Sequence, residues 1–267
     1  MVDKGFAEVN DTRLYYGIVG SGHPLVLVHG RSLNSKMWDD QLEVFAKRFK
    51  VVRYDVRGFG KSTLPTIGEE YSHTKDLKAL LNQLGIDYAC VVGLSMGGGI
   101  ALDFTLEYPE VTKALILVDS ILGGFQDWSK TYRELMESLW KEAKEKGVEA
   151  AKDMWKNCLI FKPACEKPNV AFRLKQMISD YSGWHFVNPD PLRSLDPPAI
   201  ERLQEIKVPT LIIVGERDLP DFHRIADILS EKIQNSKRMT LKGAGHLSNM
   251  ETPREFNEAI LSFLTKA

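Results

Sequence analysis

The stretch VVGLSMGGGIAL, residues 91–102, begins like a buried strand and ends like a helix, with four glycines between. Each glycine in a helix interior costs about 1 kcal/mol relative to alanine. Gly97, Gly98 and Gly99 stand together where a helix should be starting, so their presence needs a reason. Gly93-Leu94-Ser95-Met96-Gly97 fits the pattern G-x-S-x-G, directly after a strand and directly before a helix. As a bare pattern this is a flexible turn. In its strand–helix setting it predicts a tight, strained elbow that holds the Ser95 hydroxyl up at the positive end of a helix. Gly98 and Gly99 are then expected to let the helix start pack closely and to leave room beside the serine.

Outward from this elbow, short runs rich in valine and isoleucine recur: PLVLVHG (24–30), KVVRYDV (50–56), YACVVGLS (88–95), KALILVDS (113–120) and PTLIIVGERD (209–218). A weaker run, SKRMTLKGAG (236–245), follows. Continuous apolar runs suit strands covered on both faces, as in a parallel sheet. Helical patterns alternate with them: SKMWDDQLEVFAKR, SHTKDLKALLNQLG, PDFHRIADILSEKI and TPREFNEAILSFLTK. The last opens with Thr252, Pro253 and Glu255, which predicts a capping box with proline at the first helical position. The alternation predicts an α/β fold with a doubly wound, mostly parallel sheet. FAEVN and TRLYYGIV, around Asn10-Asp11, predict an antiparallel hairpin at its edge.

From Ile121 to Glu205 the alternation stops, and only amphipathic helical stretches remain. This predicts a helical cap, residues 121–205, inserted after the sixth strand of a core formed by 1–120 and 206–267. The charge run KEAKEKGVEAAKD reads as a solvated helix face. A formal charge of −1 over 267 residues gives no reason to expect nucleic acid or an anionic membrane as partner. No apolar run approaches the ~18 residues needed to span a bilayer, and MVDKGFAEVN lacks the apolar stretch of a secretory signal. A soluble, cytoplasmic protein is expected. Cys90, Cys158 and Cys165 have no framework spacing; Cys90 reads as a buried, reduced thiol, and a 158–165 disulfide rests on proximity alone.

A serine hydroxyl needs a base to take its proton. Of the six histidines, His246 in LKGAGHLSNME follows the last strand on a glycine-bearing loop, where its ring reaches the carboxyl ends of the sheet. His73 and His223 fall on polar helix faces, His185 lies in the cap, and His29 ends a strand and is expected to orient its loop. The base in turn needs an orienting carboxylate. Asp218 closes a strand and is favoured over Asp119, which also ends one, and over Asp221, whose expected part is helix capping. GFGKS (58–62) is not a phosphate-binding loop, because Asp55 occupies the position that pattern reserves for glycine. No dinucleotide fingerprint or metal-ligand spacing is present, so neither a cofactor nor a metal is expected.

The order Ser95, Asp218, His246 is that of the α/β-hydrolase fold. The whole chain resembles that superfamily, through HGRSLNSKMW (29–38), RYDVRGFGKS (53–62), GLSMGG (93–98), GERD (215–218) and GAGH (243–246). The resemblance implies a Ser95-His246-Asp218 triad and an oxyanion hole made by the backbone N–H groups of Arg31 and Met96. Their side chains are left to shape the pocket, that of Arg31 alternatively turning outward to an acid. It further implies a cofactor-free serine hydrolase of the carboxylesterase type, acting on small to medium-sized ester substrates. Serine rather than aspartate at 95 argues against dehalogenase and epoxide hydrolase chemistry. The same motifs are compatible with an enol-lactonase, a hydrolase of carbon–carbon bonds in ring-fission products, or a perhydrolase or haloperoxidase side activity. A ligand-binding receptor on the same fold is the reading outside enzymes. Cap aromatics (Phe125, Trp128, Trp140, Trp155, Tyr181, Trp184, Phe186) are candidates for the pocket wall, and short acyl chains are the expected preference.

Overall fold

The structure, a computed structural model, describes residues 3–266. Eight strands form one sheet: β1 (Asp3–Val9), β2 (Thr12–Val19), β3 (His23–Val28), β4 (Phe49–Tyr54), β5 (Ala89–Leu94), β6 (Thr112–Val118), β7 (Thr210–Gly215) and β8 (Ser236–Leu241). Their spatial order is β1-β2-β4-β3-β5-β6-β7-β8. β2 pairs antiparallel with both β1 and β4, and the remaining pairs are parallel. The sheet is therefore the doubly wound, mostly parallel one expected, with the hairpin at its edge. Every residue of β7 is buried, as is nearly all of β5 and β6, which is why these strands read as unbroken apolar runs. β8 closes the opposite edge with mixed burial, and its sequence signal is correspondingly weak.

Helices α1 (Asp39–Phe45), α2 (His73–Gln83) and α3 (Met96–Glu107) connect the first strands. Between β6 and β7 lie α4 (Lys130–Lys146), α5 (Val148–Lys156), α6 (Lys162–Cys165), α7 (Pro168–Asp180), α8 (Trp184–Val187) and α9 (Ala199–Arg202). This segment contains no strand among the described residues, only a single bridge from Leu192 to Tyr71. The chain then returns through α10 (Pro220–Lys232), α11 (Ser248–Glu251) and α12 (Pro253–Leu264). Among the described residues, no helix is long and apolar enough to cross a membrane.

Several local expectations are corrected. The capping box at Thr252 does not form: its hydroxyl donates to Ser248 O at 3.1 Å. α11 ends one residue earlier, so Thr252 satisfies that helix's orphan carbonyl instead of capping α12. The 35–48 pattern opens as a 3-10 turn over Ser35–Trp38, capped by Asn34, before α1 begins. His73 is not solvated but buried against Tyr71, and burial drives its pKa down to about 3. All three cysteines are free, and Cys90 is only half-buried.

Candidate active site

The elbow has the conformation its sequence demands. Ser95 sits between β5 and α3 with φ 55° and ψ −115°, a left-handed backbone that an L-residue enters only under constraint. A Cβ at Gly93 would overlap the carbonyl of Gly97, and one at Gly97 would meet His29 O at 2.6 Å. Glycine is thus required at both positions by close backbone approach. At Gly98 and Gly99 the constraint is the segment after β6: an added Cβ would meet Ser120 Cβ and Ile121 Cγ1, each at 2.7 Å. That replaces the expected close packing on the sheet itself.

His246 and Asp218, far apart in sequence, are adjacent in space: Nδ1 lies 2.8 Å from Asp218 Oδ2. Asp218 Oδ1 accepts from the N–H of Leu219 at 2.7 Å. With Nδ1 engaged, Nε2 is the ring nitrogen left for proton transfer. Burial lowers the His246 pKa from its ordinary value, and the negative charges of Asp119 and Glu251 pull it partly back. The ring is neutral at neutral pH, as an acceptor must be. His246 and Ser95 line the same cleft. They are not hydrogen-bonded to each other in this structure; such contacts are often long without substrate.

The competing acids have other partners. Asp119, at φ 44°, accepts from Gly215 N at 2.7 Å and Ser248 Oγ at 2.6 Å, and burial raises its pKa well above the carboxylate range. It braces the ends of β7 and α11. Contrary to the sequence expectation, Asp221 does not cap α10; its carboxylate accepts from Ser129 N and Oγ and from Arg224, tying the start of α4 to the core.

The loop after β3 is held with equal care. His29 is fully buried, with Nδ1 2.8 Å from Gly30 O and Nε2 accepting from Val56 N at 2.9 Å. Those two contacts fix the Nδ1–H tautomer. Asp55 accepts from Ser35 N at 2.7 Å and Lys61 N at 2.9 Å, so GFGKS is a bracing turn. The backbone N–H groups of Arg31 and Met96 donate to no other backbone group among the described residues.

The sequence reading missed Glu251. Its buried carboxylate accepts from Gly245 N at 2.7 Å and Leu247 N at 3.0 Å, the residues on either side of His246. Nothing in HLSNME marks that loop-to-helix reach in advance. Of the cap aromatics proposed for the pocket, only Trp155 lines the Ser95 cleft. Trp128 stacks on Tyr132 at 4.1 Å, and Tyr181 packs against Phe59, His185 and Phe186. The cleft wall instead includes Tyr132, Phe161 and Phe222, whose ring centre lies 4.3 Å from that of His246. Its cavity volume is about 100 Å³. Among the described residues, no group of three or more His, Cys, Asp or Glu side chains could hold a metal.

With strand order, elbow and cleft established, comparison with known proteins bears on the fold. A family profile described as alpha/beta hydrolase fold matches residues 23–148. The enol-lactonase from Burkholderia xenovorans LB400 superposes with a TM-score of 0.81 at 25% identity, covering 98% of this chain and 100% of that one. The chain has the α/β-hydrolase fold. A thermophilic esterase from Thermogutta terrifontis gives a TM-score of 0.80 at 26% identity, covering 99% of this chain and 98% of that one. The 3-oxoadipate enol-lactonase 2 of Acinetobacter baylyi is 27% identical over 265 residues, 96% of this chain and 95% of its relative.

Proposed function

We propose that the protein is a serine hydrolase of small to medium-sized carboxylic esters, with Ser95 as nucleophile, His246 as base and Asp218 as the orienting acid. The observation that carries this reading is the 2.8 Å His246–Asp218 contact beside a cleft shared with a strained, elbow-mounted Ser95. Ser95 Oγ attacks the ester carbonyl while its proton passes to His246 Nε2. The Met96 and Arg31 N–H groups hold the resulting alkoxide, an effect for which losing one donor costs about 10²–10³ in rate. The intermediate collapses to an acyl-enzyme, and His246 gives its proton to the leaving alcohol. A water then attacks the acyl carbon, passing its proton to His246, and the acid and Ser95 are released. Residues 121–205 act as a cap whose inner face sets the acyl side of the cleft.

A second reading, hydrolysis of an enol-lactone by the same groups, is favoured by the likeness to the two enol-lactonases. A series of aryl esters of graded acyl length, run beside an enol-lactone, separates the two. Best turnover on short acyl chains is expected. Best turnover on chains beyond about ten carbons contradicts a compact pocket, and turnover of the lactone alone favours the second reading.

A further inference from the structure

Arg31 stands at the most sensitive point of the cleft, directly after His29-Gly30, and its side chain does not turn outward to an acid. Among the described residues no carboxylate oxygen lies within 4.0 Å of its guanidinium nitrogens, whereas half-buried Arg57 and Arg173 are paired with Asp76 and Asp40. The Arg31 Nε is buried and has no hydrogen-bond partner. One terminal nitrogen donates to His185 O, at a long 3.4 Å, and this is the only hydrogen bond its guanidinium makes among the described residues. A guanidinium has five N–H donors, so most of its capacity is unspent. Leaving a desolvated charge without a partner is costly.

Arg31 also joins two spaces. It lines the Ser95 cleft, and it lines a more open surface cleft with Trp140, Lys144, Val187 and Asp190. Tyr132, Tyr181 and His185 on the cap side feel its field, and Asp190, which shares the open cleft, forms no ion pair with it. Asp190 is engaged by the Tyr71 hydroxyl at 2.8 Å.

We propose that the Arg31 guanidinium binds a carboxylate carried by the substrate, so that the enzyme acts on anionic esters or lactones such as half-esters of short dicarboxylic acids. This rests on the hydrolase reading above. The free Nε–H, together with a terminal N–H, matches the two oxygens of a carboxylate, the paired geometry at which arginine excels. Because the same residue supplies a backbone N–H at the reacting carbonyl, substrate charge and scissile bond are held in fixed relation by one residue.

The test compares an aryl half-ester of glutarate with a neutral aryl ester of matched length, in wild type, Arg31→Met and Arg31→Lys. The ratio of kcat/KM, anionic over neutral, is expected to fall about 10- to 100-fold in Arg31→Met, the range of a lost charge-assisted hydrogen-bonded contact. The fall should lie mainly in KM, and Arg31→Lys should keep part of the preference. An unchanged ratio in Arg31→Met overturns the proposal. A second arm needs no turnover: glutarate binding to Ser95→Ala protein, measured by calorimetry, should weaken at least about tenfold when Arg31→Met is added. Equal affinity with and without Arg31 overturns it as well. If wild type cleaves neither ester yet binds glutarate through Arg31, the hydrolase reading fails and the anion site stands. If the neutral ester is cleaved but the ratio ignores Arg31, the anion site fails and the hydrolase reading stands.

Discussion

The core side and the cap side of the cleft are built by different means. On the core side each candidate reacting group is fixed by specific close contacts: Ser95 by glycines that admit close backbone approach, His246 by the Asp218 carboxylate on its ring and by the Glu251 carboxylate on both flanking N–H groups. On the cap side the wall is a packing outcome, with Tyr132 and Met136 of α4, Trp155 of α5 and Phe161 just after it converging on one space. The difference separates reactivity from selectivity. Changes on the core side should abolish or cripple turnover across all substrates, and changes on the cap side should reorder substrates.

The largest effect belongs to the reacting groups themselves. Ser95→Ala and His246→Ala should each lower kcat by about 10⁴–10⁶, without additivity in the double variant, because the groups act as a unit. Additive losses would break the core-side half of the comparison. Gly97→Val comes next. A side chain there collides with the Val28 and His29 carbonyls, so Ser95 is displaced, and about 10²-fold or more should be lost even in protein that remains folded by circular dichroism. Full activity in that variant would refute the elbow argument.

Glu251→Gln sharpens the picture, since its effect is expected to be about tenfold, a fraction of what general base catalysis supplies. It carries a second signature that loosened packing alone would not give. In the proposed mechanism the base is neutral His246, so kcat/KM is expected to fall along an acid limb as pH drops through that group's pKa, and burial lowers that pKa from the ordinary 6.5. Removing the Glu251 charge removes an influence that raises the pKa, so the limb should move to still lower pH. A limb that shifts upward contradicts the assignment. The smallest effect is on the cap: Trp155→Ala should change the ratio of long to short acyl esters several-fold, about 1 kcal/mol per added methylene, while leaving the acid limb where it was.

The same division explains what could be read from sequence. The central strands announced themselves because both faces are covered; Ser95, Asp218 and His246 stood out because each follows a strand, and the structure places His246 against Asp218 and in one cleft with Ser95. Gly93 and Gly97 were legible because nothing larger fits. The cap's inner face was not legible. Its helices pack on one another as well as on the core, so Trp128, Tyr181 and Phe186 have apolar partners elsewhere and only Trp155 reaches the cleft. Glu251 escaped because its acceptors are backbone N–H groups, which carry no sequence signal. The unpaired state of Arg31 is likewise a fact of three dimensions, since acids are plentiful in the chain and only their distances exclude them.

The central claim is that Ser95 is the activated nucleophile of this fold, and a fluorophosphonate probe tests it most directly. Peptide mapping after labelling should locate one adduct, on Ser95, with labelling strongly slowed by His246→Ala. No adduct, or an adduct on another residue in folded wild-type protein, would contradict it.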